Sequence, residues 1–372
     1  MKAPKIPYPA SSGAGAEIRP GSPVGGPPDP PRSVLGGSGG VLLILLVSLA
    51  AMVLLVFFLS NTPFRTLWYL FFGPLQNLYR FGNMLNGAVS LILGGLGILV
   101  AMKAGSLNLG GEGQIYAGAF TATVTAIALA PLGVPGAFIA LSAGALAAGI
   151  AAGLPGLFKA LWNTSEPVTS FLLSNVLVLA VNYLVTGPFL DPETNLQSTR
   201  KIPVAFRLPR ILEPSNLSAA LFIALFAVIL VRFFLERTRL GYELRIAGNN
   251  ELFARYGGIN TKRNTVLAMG ISGMFYGLAG GLAVFGTYYG TVKEFSAGMG
   301  WNGLAVALIA GLKPWAVIPS AIFFVWTESG ARIAMQFSDI TFEISSIVRS
   351  VVFFLVTSAV LRNLFFRGKA RR

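Results

Sequence analysis

The chain has 372 residues, of which 54% are hydrophobic and only 11% charged, with a mean hydropathy of +0.70. A soluble domain is about 25% charged, so too few charges remain here to coat a water-facing globule, and the composition places the chain in lipid. Histidine and cysteine are both absent, which excludes zinc sites of the usual kind, Ser-His and Cys-His nucleophile pairs, iron-sulfur clusters and disulfides. The net charge of +14 does not point to nucleic acid, because the basic residues are strung between apolar runs instead of gathered on one soluble face.

Residues 1–40 hold nine prolines and nine glycines with few large apolar side chains. They bury too little surface to offset the entropy of ordering and are expected to form a disordered cytoplasmic tail. The first apolar run starts near Val41 and continues to Ser60 without a convincing cleavage site, so it reads as an anchor of the mature protein and not as a secretory signal. About 20 apolar helical residues cross a hydrocarbon core about 30 Å thick. Such stretches fall near residues 41–60, 83–102, 113–131, 136–158, 168–187, 216–235, 264–288, 300–312, 315–334 and 345–364. They predict an all-α polytopic membrane protein of about ten transmembrane segments, with a transmembrane domain over 41–366 and a basic cytoplasmic tail over 367–372. Two of the ten are weak: 113–131 follows a glycine-rich run, and 300–312 is short. Phe64 to Leu75 is aromatic and brief, which suits the headgroup level.

Lysine and arginine set the orientation. With both termini inside, nineteen basic residues fall on the cytoplasmic side and eight on the outer side, with Arg349 inside the last span. That bias favours the arrangement and requires an even number of spans.

Polar residues gather in three places. The connection from Glu236 to Lys262 is too polar to enter lipid. Within it, Asn249 to Tyr256 offers an Asn cap, Glu251 in the first turn, an apolar pair in Leu252 and Phe253, and a Gly257-Gly258 stop. The residues leave open a solvated loop with a capped turn or a docking helix for a cytoplasmic partner. The second place is Ser106 to Gln114, where Asn108, Glu112 and Gln114 precede a span. A carboxylate at membrane depth costs roughly 2.5–3.5 kcal/mol, so Glu112 needs a partner or water, unless it lies among headgroups and caps the helix that follows. The third place, Gly298 to Gly303, again follows a long span and precedes an interrupted one. Residues 83–187 and 264–364 are therefore read as inverted halves, each with a broken or re-entrant helix aimed at a central path. Glu328 and Arg332, four apart, are expected to pair on one helix face. Ser170, Ser174, Asn175 and Asn182 form a stripe that suits either helix contacts or a route. No GxxxxGK[ST] motif is present, so ATP chemistry would need another chain.

At these residues the sequence resembles the membrane permeases of bacterial ABC importers in the branched-chain amino acid and simple-sugar group. It is most similar to the nucleoside-type permeases that work with a basic-membrane-lipoprotein receptor. The resemblance lies in LNLGGEGQ at 107–114, GLPGLFKA at 153–160, SEPVTSFLLSNVL from Ser165, NYLV to Val185, GYELRIAGNNELFARYGGINTKRN at 241–264 and ISGMFYGLAGG after it. It covers about residues 83–365. One departure stands out: nucleoside-type relatives tend to read GFDGIAVALLG where this chain has GWNGLAVALIA from Gly300. Trp301 and Asn302 replace the aromatic residue and the acid.

The resemblance implies a non-enzymatic permease subunit in a bacterial inner membrane, without cofactor, that forms half of a translocation pathway. Its implied partners are two ATP-binding subunits and an extracytoplasmic solute-binding lipoprotein. A second homologous permease completes the set, more in keeping with a heterodimer because the long N-terminal tail is similar to that of the longer permease in such systems. The 237–263 connection would be the coupling loop. Gly248, Asn249, Glu251, Ala254, Gly258 and Ile259 fall on the family pattern, Leu252 and Phe253 could fill a groove of the ATPase, and Arg245 and Arg255 could set its register. Asn108, Glu112, Gln114, Asn175 and Asn302 are the candidates for the path, since a neutral solute rich in hydroxyls or ring nitrogens needs donors and acceptors more than charge. The expected solute is a nucleoside, with a simple sugar or other small polar solute as the alternative. An ion-coupled secondary carrier is the rival class, poorly supplied with intramembrane carboxylates.

Overall fold

The computed structural model describes residues 52–341, together with Ala50 and Ser350. The expected tail over 1–40, the start of the first span, the last span over 345–364 with Arg349, and the basic tail over 367–372 lie outside the described residues. Residues 52–59 are helical. Eleven further helices follow: α1 (Pro63–Phe72), α2 (Leu78–Lys103), α3 (Gly111–Ala128), α4 (Val134–Trp162), α5 (Glu166–Thr186), α6 (Ala220–Arg237), α7 (Arg239–Asn249), α8 (Glu251–Tyr256), α9 (Thr261–Ala283), α10 (Met299–Ile309) and α11 (Pro314–Phe337). A π-helical turn, Val284–Tyr288, extends α9. Among the described residues, β pairing is limited to isolated bridges.

By length and composition, four of these helices can cross a membrane: α2, α4, α5, and α9 with its π turn. The sequence led us to expect ten spans; one of these lies outside the described residues and another lies partly outside them, and four more fall short for local reasons. α6 ends in Arg232, Glu236 and Arg237, and α11 carries Glu328 and Arg332, so their apolar runs are diluted. α3 begins with the polar turn Gly111-Glu112-Gly113-Gln114, and α10 stops after 11 residues. The 236–262 connection also departs from a single capped turn. Thr238 caps α7 by accepting from the Gly241 amide at 3.1 Å, so the polar stretch before Asn249 is helical as well.

α2 forms the centre of the fold. Its residues from Ala88 to Ala101 are buried on every side, as expected for a helix that is apolar all round. α9 runs along α4, α2 and α3 and reaches them through small residues. A Cβ on Gly277 would lie 2.5 Å from the Ala148 Cβ and 2.7 Å from the Gly144 carbonyl oxygen, and one on Gly118 would lie 2.6 Å from the Gly277 oxygen. Gly144, Ala148 and Ala152 on α4 repeat every four residues, as do Gly273 and Gly277 on α9, the spacing that lets helix backbones touch where no hydrophobic force drives association. α5 differs. Its Leu172, Val176, Leu179 and Tyr183 are exposed.

Beyond α5, residues 188–219 form an irregular cap fastened to the end of α9. The Thr199 amide donates to Thr291 O at 3.0 Å, Ile202 to Tyr289 O at 2.8 Å and Leu208 to Phe285 O at 2.9 Å. Arg207 places its guanidinium 4.6 Å from the Tyr289 ring centroid, a cation–π contact.

The first and last described elements are joined by one carboxylate. Asp339, just after α11, accepts from the Ser60 hydroxyl at 2.6 Å and from the Thr62 hydroxyl at 2.7 Å, and the Asn61 amide donates to its other oxygen. Thr62 is the cap residue of α1, which packs on α11. The Ser60 and Thr62 hydroxyls hold the Asp339 carboxyl well below the usual carboxylate range. A lowered folded-state pKa contributes stability that is present above the unfolded value, about 3.9, and is lost as pH falls through the folded value. Asp339→Asn is therefore expected to melt below wild type at neutral pH in detergent. The gap should close as the pH is taken below about 4; a constant gap across that range would contradict the clamp.

Candidate functional site

The N-termini of two helices meet inside the fold. α10 enters at Gly298, whose φ of 87° suits glycine, and no side chain of its own caps it. Glu112, in the first turn of α3, supplies the cap from outside. One carboxylate oxygen accepts from the Gly298 amide at 3.1 Å and from the Ser296 hydroxyl, and the other accepts from the Gly300 amide at 2.8 Å. The alternative that Glu112 caps the helix following it is thus not what the structure shows. Both helix ends carry partial positive charge, which a shared carboxylate offsets. The approach leaves no room for a side chain: a Cβ on Gly300 would lie 2.6 Å from the Gly111 carbonyl carbon and 2.7 Å from the Glu112 Cα. Beneath lies Tyr276, fully buried, whose hydroxyl donates to Gly300 O at 3.3 Å.

The loop before α3 is locked separately. Asn108 and Gln114 form a reciprocal amide pair: Asn108 Nδ2 donates to Gln114 Oε1 at 2.8 Å, and Gln114 Nε2 donates to Asn108 Oδ1 at 2.9 Å. Asn108 also donates to Ser272 Oγ at 2.9 Å and accepts from the Gly110 amide at 2.9 Å. Both side chains are buried, and they face each other. From α5, Ser170 Oγ accepts from the Leu109 amide at 3.1 Å and Ser174 Oγ from the Gly113 amide at 2.8 Å. The serine stripe thus joins α5 to the loop. Asn175 stands apart on the exposed side of α5, donating to Phe171 O at 2.9 Å.

Of the five path candidates, Asn108, Glu112 and Gln114 come together at this junction. Asn302, in the first turn of α10, lines a cavity on the other side of it. Sequence reasoning missed Ser272, Tyr276 and Ser296, polar residues that only the meeting of α9 and the 289–298 segment with α3 marks out. That segment holds Tyr289, Glu294 and Ala297 at φ of 59°, 56° and 46°, left-handed values that cost of order 1–3 kcal/mol each for non-glycine residues. Trp301 is 45% exposed, with its ring 5.9 Å from that of Phe171.

Elsewhere in the fold, α7 and α8 connect α6 to α9. Asn250 caps α8 by accepting from the Phe253 amide at 3.0 Å, so the cap is the second asparagine, and Asn249 closes α7. Ala254 is buried and anchors α8, while Leu252, Phe253 and Tyr256 are exposed, Tyr256 at 91%. Arg255 pairs with Glu251 at 2.6 Å and donates to Thr261 Oγ1 at 3.2 Å. Gly258 takes a φ of 77°. A recess of about 320 Å³ beside α8 is lined by Lys159, Arg255 and Lys262 among others. The Arg245 Nε is buried with no hydrogen-bond partner. Gly248 lies directly on the turn after α2: its Cβ would be 2.8 Å from Gly105 N and 2.9 Å from the Ala104 carbonyl carbon.

The family model described as the permease component of branched-chain amino acid transport systems matches residues 80–357. The chain belongs to this permease family. A probable riboflavin import permease protein of Treponema pallidum is 32% identical over 303 residues, covering 80% of each chain. A guanosine ABC transporter permease protein of Bacillus subtilis is 29% identical over 318 residues, 83% of this chain and 88% of the relative. A nucleoside ABC transporter permease protein of Lactococcus lactis is 27% identical over 315 residues, 81% of this chain and 85% of the relative. No solved structure matches. As a member of the family, the chain is a membrane-embedded permease without catalytic function of its own.

Hydrogen bonds to a charged group contribute about 1.5–3 kcal/mol. In this permease, Glu112→Gln, which keeps the shape but not the charge, is expected to lower the melting temperature in detergent, and Glu112→Ala to lower it further. Gly300→Val should be at least as damaging, through overlap with the Gly111–Glu112 backbone. Wild-type melting of Glu112→Ala would show that the bridge carries no weight.

Proposed function

We propose that this permease forms half of the translocation path of an ATP-driven importer for a nucleoside. It works with two ATP-binding subunits, a second homologous permease in a heterodimer, and an extracytoplasmic solute-binding lipoprotein. The chain sits in a bacterial inner membrane with ten spans and both termini cytoplasmic, as its basic residues favour. α2 to α5 and α9 onward act as inverted halves, each contributing a broken helix, α3 and α10, to the path. The exposed apolar face of α5 with Asn175 turns toward the second permease, and Glu112 and Asn302 stand beside the route. Asn108 and Gln114 belong to the same site as its rigid support.

The observation that carries the solute reading is the half-exposed Trp301 indole beside Phe171 at the start of α10. Flat aromatic surface stacks a planar base at about 1–3 kcal/mol, and the riboflavin, guanosine and nucleoside permeases among the relatives are named for solutes that contain such rings. In membrane vesicles with the complete transporter, guanosine uptake should be inhibited by other nucleosides and unaffected by glucose. Trp301→Leu should raise KM about tenfold or more, the equivalent of about 1.4 kcal/mol, and Trp301→Phe should restore most of it. Inhibition by glucose alone would replace this reading with a sugar permease.

α8 is the docking element for the ATPase. Leu252, Phe253 and Tyr256 fill a groove, Glu251, Arg255 and Arg245 set register, and Gly248, Asn249, Ala254 and Gly258 fix the angle between α7 and α8. Leu252→Ser with Phe253→Ser should release the ATPase during gentle purification without altering the melting temperature of the permease. Retention of the ATPase by that variant would place docking elsewhere.

A further inference from the structure

A cavity of about 260 Å³ lies within the subunit, between the first half of α2, the π turn after α9, the 295–302 segment and α11. Its lining mixes apolar residues with an unusual number of polar ones. Asn83, Asn86, Ser90, Thr287 and Asn302 all face it, and the Glu328–Arg332 pair, at 3.1 Å, closes one side. Empty cavities in proteins are apolar, whereas polar ones hold water; at about 30 Å³ per water, this one has room for roughly eight or nine. Polar side chains within membrane-spanning segments mark solute or ion routes by default, and Asn83, Asn86 and Ser90 stand on α2, one of the four helices long and apolar enough to span.

The size and the donors narrow the occupant. A space of this volume lies just below the usual range for ligand sites, about 300–1,000 Å³, and has room for a sugar-sized group. Asparagine amides present a donor and an acceptor together, and hydroxyls present either, which suits a ring carrying several hydroxyls on adjacent carbons. A carboxylate held in place by an arginine accepts from two neighbouring hydroxyls at once. Asn86 is already oriented by donating to Thr287 Oγ1 at 3.0 Å, and Asn83 by accepting from the Asn216 amide at 3.0 Å. The cavity also touches the α3–α10 junction, because Ser296, which lines it, donates to Glu112.

We infer that this intrasubunit cavity is a binding station for the pentose of the solute. The identity of the solute rests on the nucleoside reading above; the chemistry of the cavity, a site for a vicinal polyol, rests on its lining.

The absence of cysteine from the chain makes a direct test clean. Ser90→Cys and Thr287→Cys each place a thiol of similar size in the cavity wall. In the complete transporter in membranes, a small methanethiosulfonate reagent is added and modification of this chain is read by mass spectrometry. Both thiols are expected to react, and guanosine or free ribose at about ten times its half-saturating concentration should slow the reaction about tenfold. Guanine should leave the rate unchanged. Failure of both thiols to react, protection by guanine, or no protection by either guanosine or ribose would overturn the site. Protection by ribose in a transporter that takes up no guanosine would uphold the polyol site and overturn the nucleoside reading. As a second measurement, Asn86→Leu should raise KM for the transported solute with kcat nearly constant; a fall in kcat alone would overturn a binding role.

Discussion

Two helix N-termini held against one carboxylate are the constraint around which the rest is arranged. Each terminus presents unpaired amides and partial positive charge, so bringing α3 and α10 end to end is unfavourable unless something negative stands between them. Glu112 stands there, on the first turn of one helix and bonded to the amides of the other. The arrangement accounts for two peculiarities at once: a half-buried carboxylate inside the fold, and an α10 that begins without a cap of its own.

Such a junction needs a rigid surround, because buried irregular backbone survives only where its polar groups find partners. The Asn108–Gln114 pair, the two α5 serines and Tyr276 provide it. Their positions depend in turn on how closely α9 lies against α3 and α4. Glycine and alanine at the crossings of Gly118, Gly144, Ala148, Gly273 and Gly277 allow backbone-to-backbone contact; larger residues there would move Ser272 and Tyr276 away from the loop they support.

The same economy of space joins α7 to the segment that leads to the junction. α7 touches the turn after α2 through Gly248 and Gly105, main chain against main chain, with Gly105 at a φ of 76°. Seven residues further along the chain is Glu112. A rigid-body shift of α7 therefore meets a contact with no side-chain slack, at the start of the segment that leads to the junction. Packed cores answer such displacements as units and not by gradual deformation.

Much was legible in advance where the cause is local. Charge content alone placed the chain in the membrane. The Asn-Glu start and Gly257-Gly258 stop marked α8, with the cap one residue later than read, and the spacing of Glu328 and Arg332 foretold their pair. α7 was less legible, since a short amphipathic helix rich in charge looks like a loop until Leu244 and Gly241 are seen packed. The candidate site divided along the same line. Residue type nominated Asn108, Glu112, Gln114 and Asn302 as polar residues of a path, whereas in the fold Asn108 and Gln114 turn toward each other and Glu112 reaches to Gly298 and Gly300, more than 180 residues away in sequence. The sequence by itself determined the solvent, most helices and which polar residues needed partners, because those follow from composition and from neighbours a few residues apart. Which partner each one found was decided only by the tertiary structure: the donors to Glu112 are two backbone amides and one serine, groups that carry no distinguishing signal until folding sets them against it.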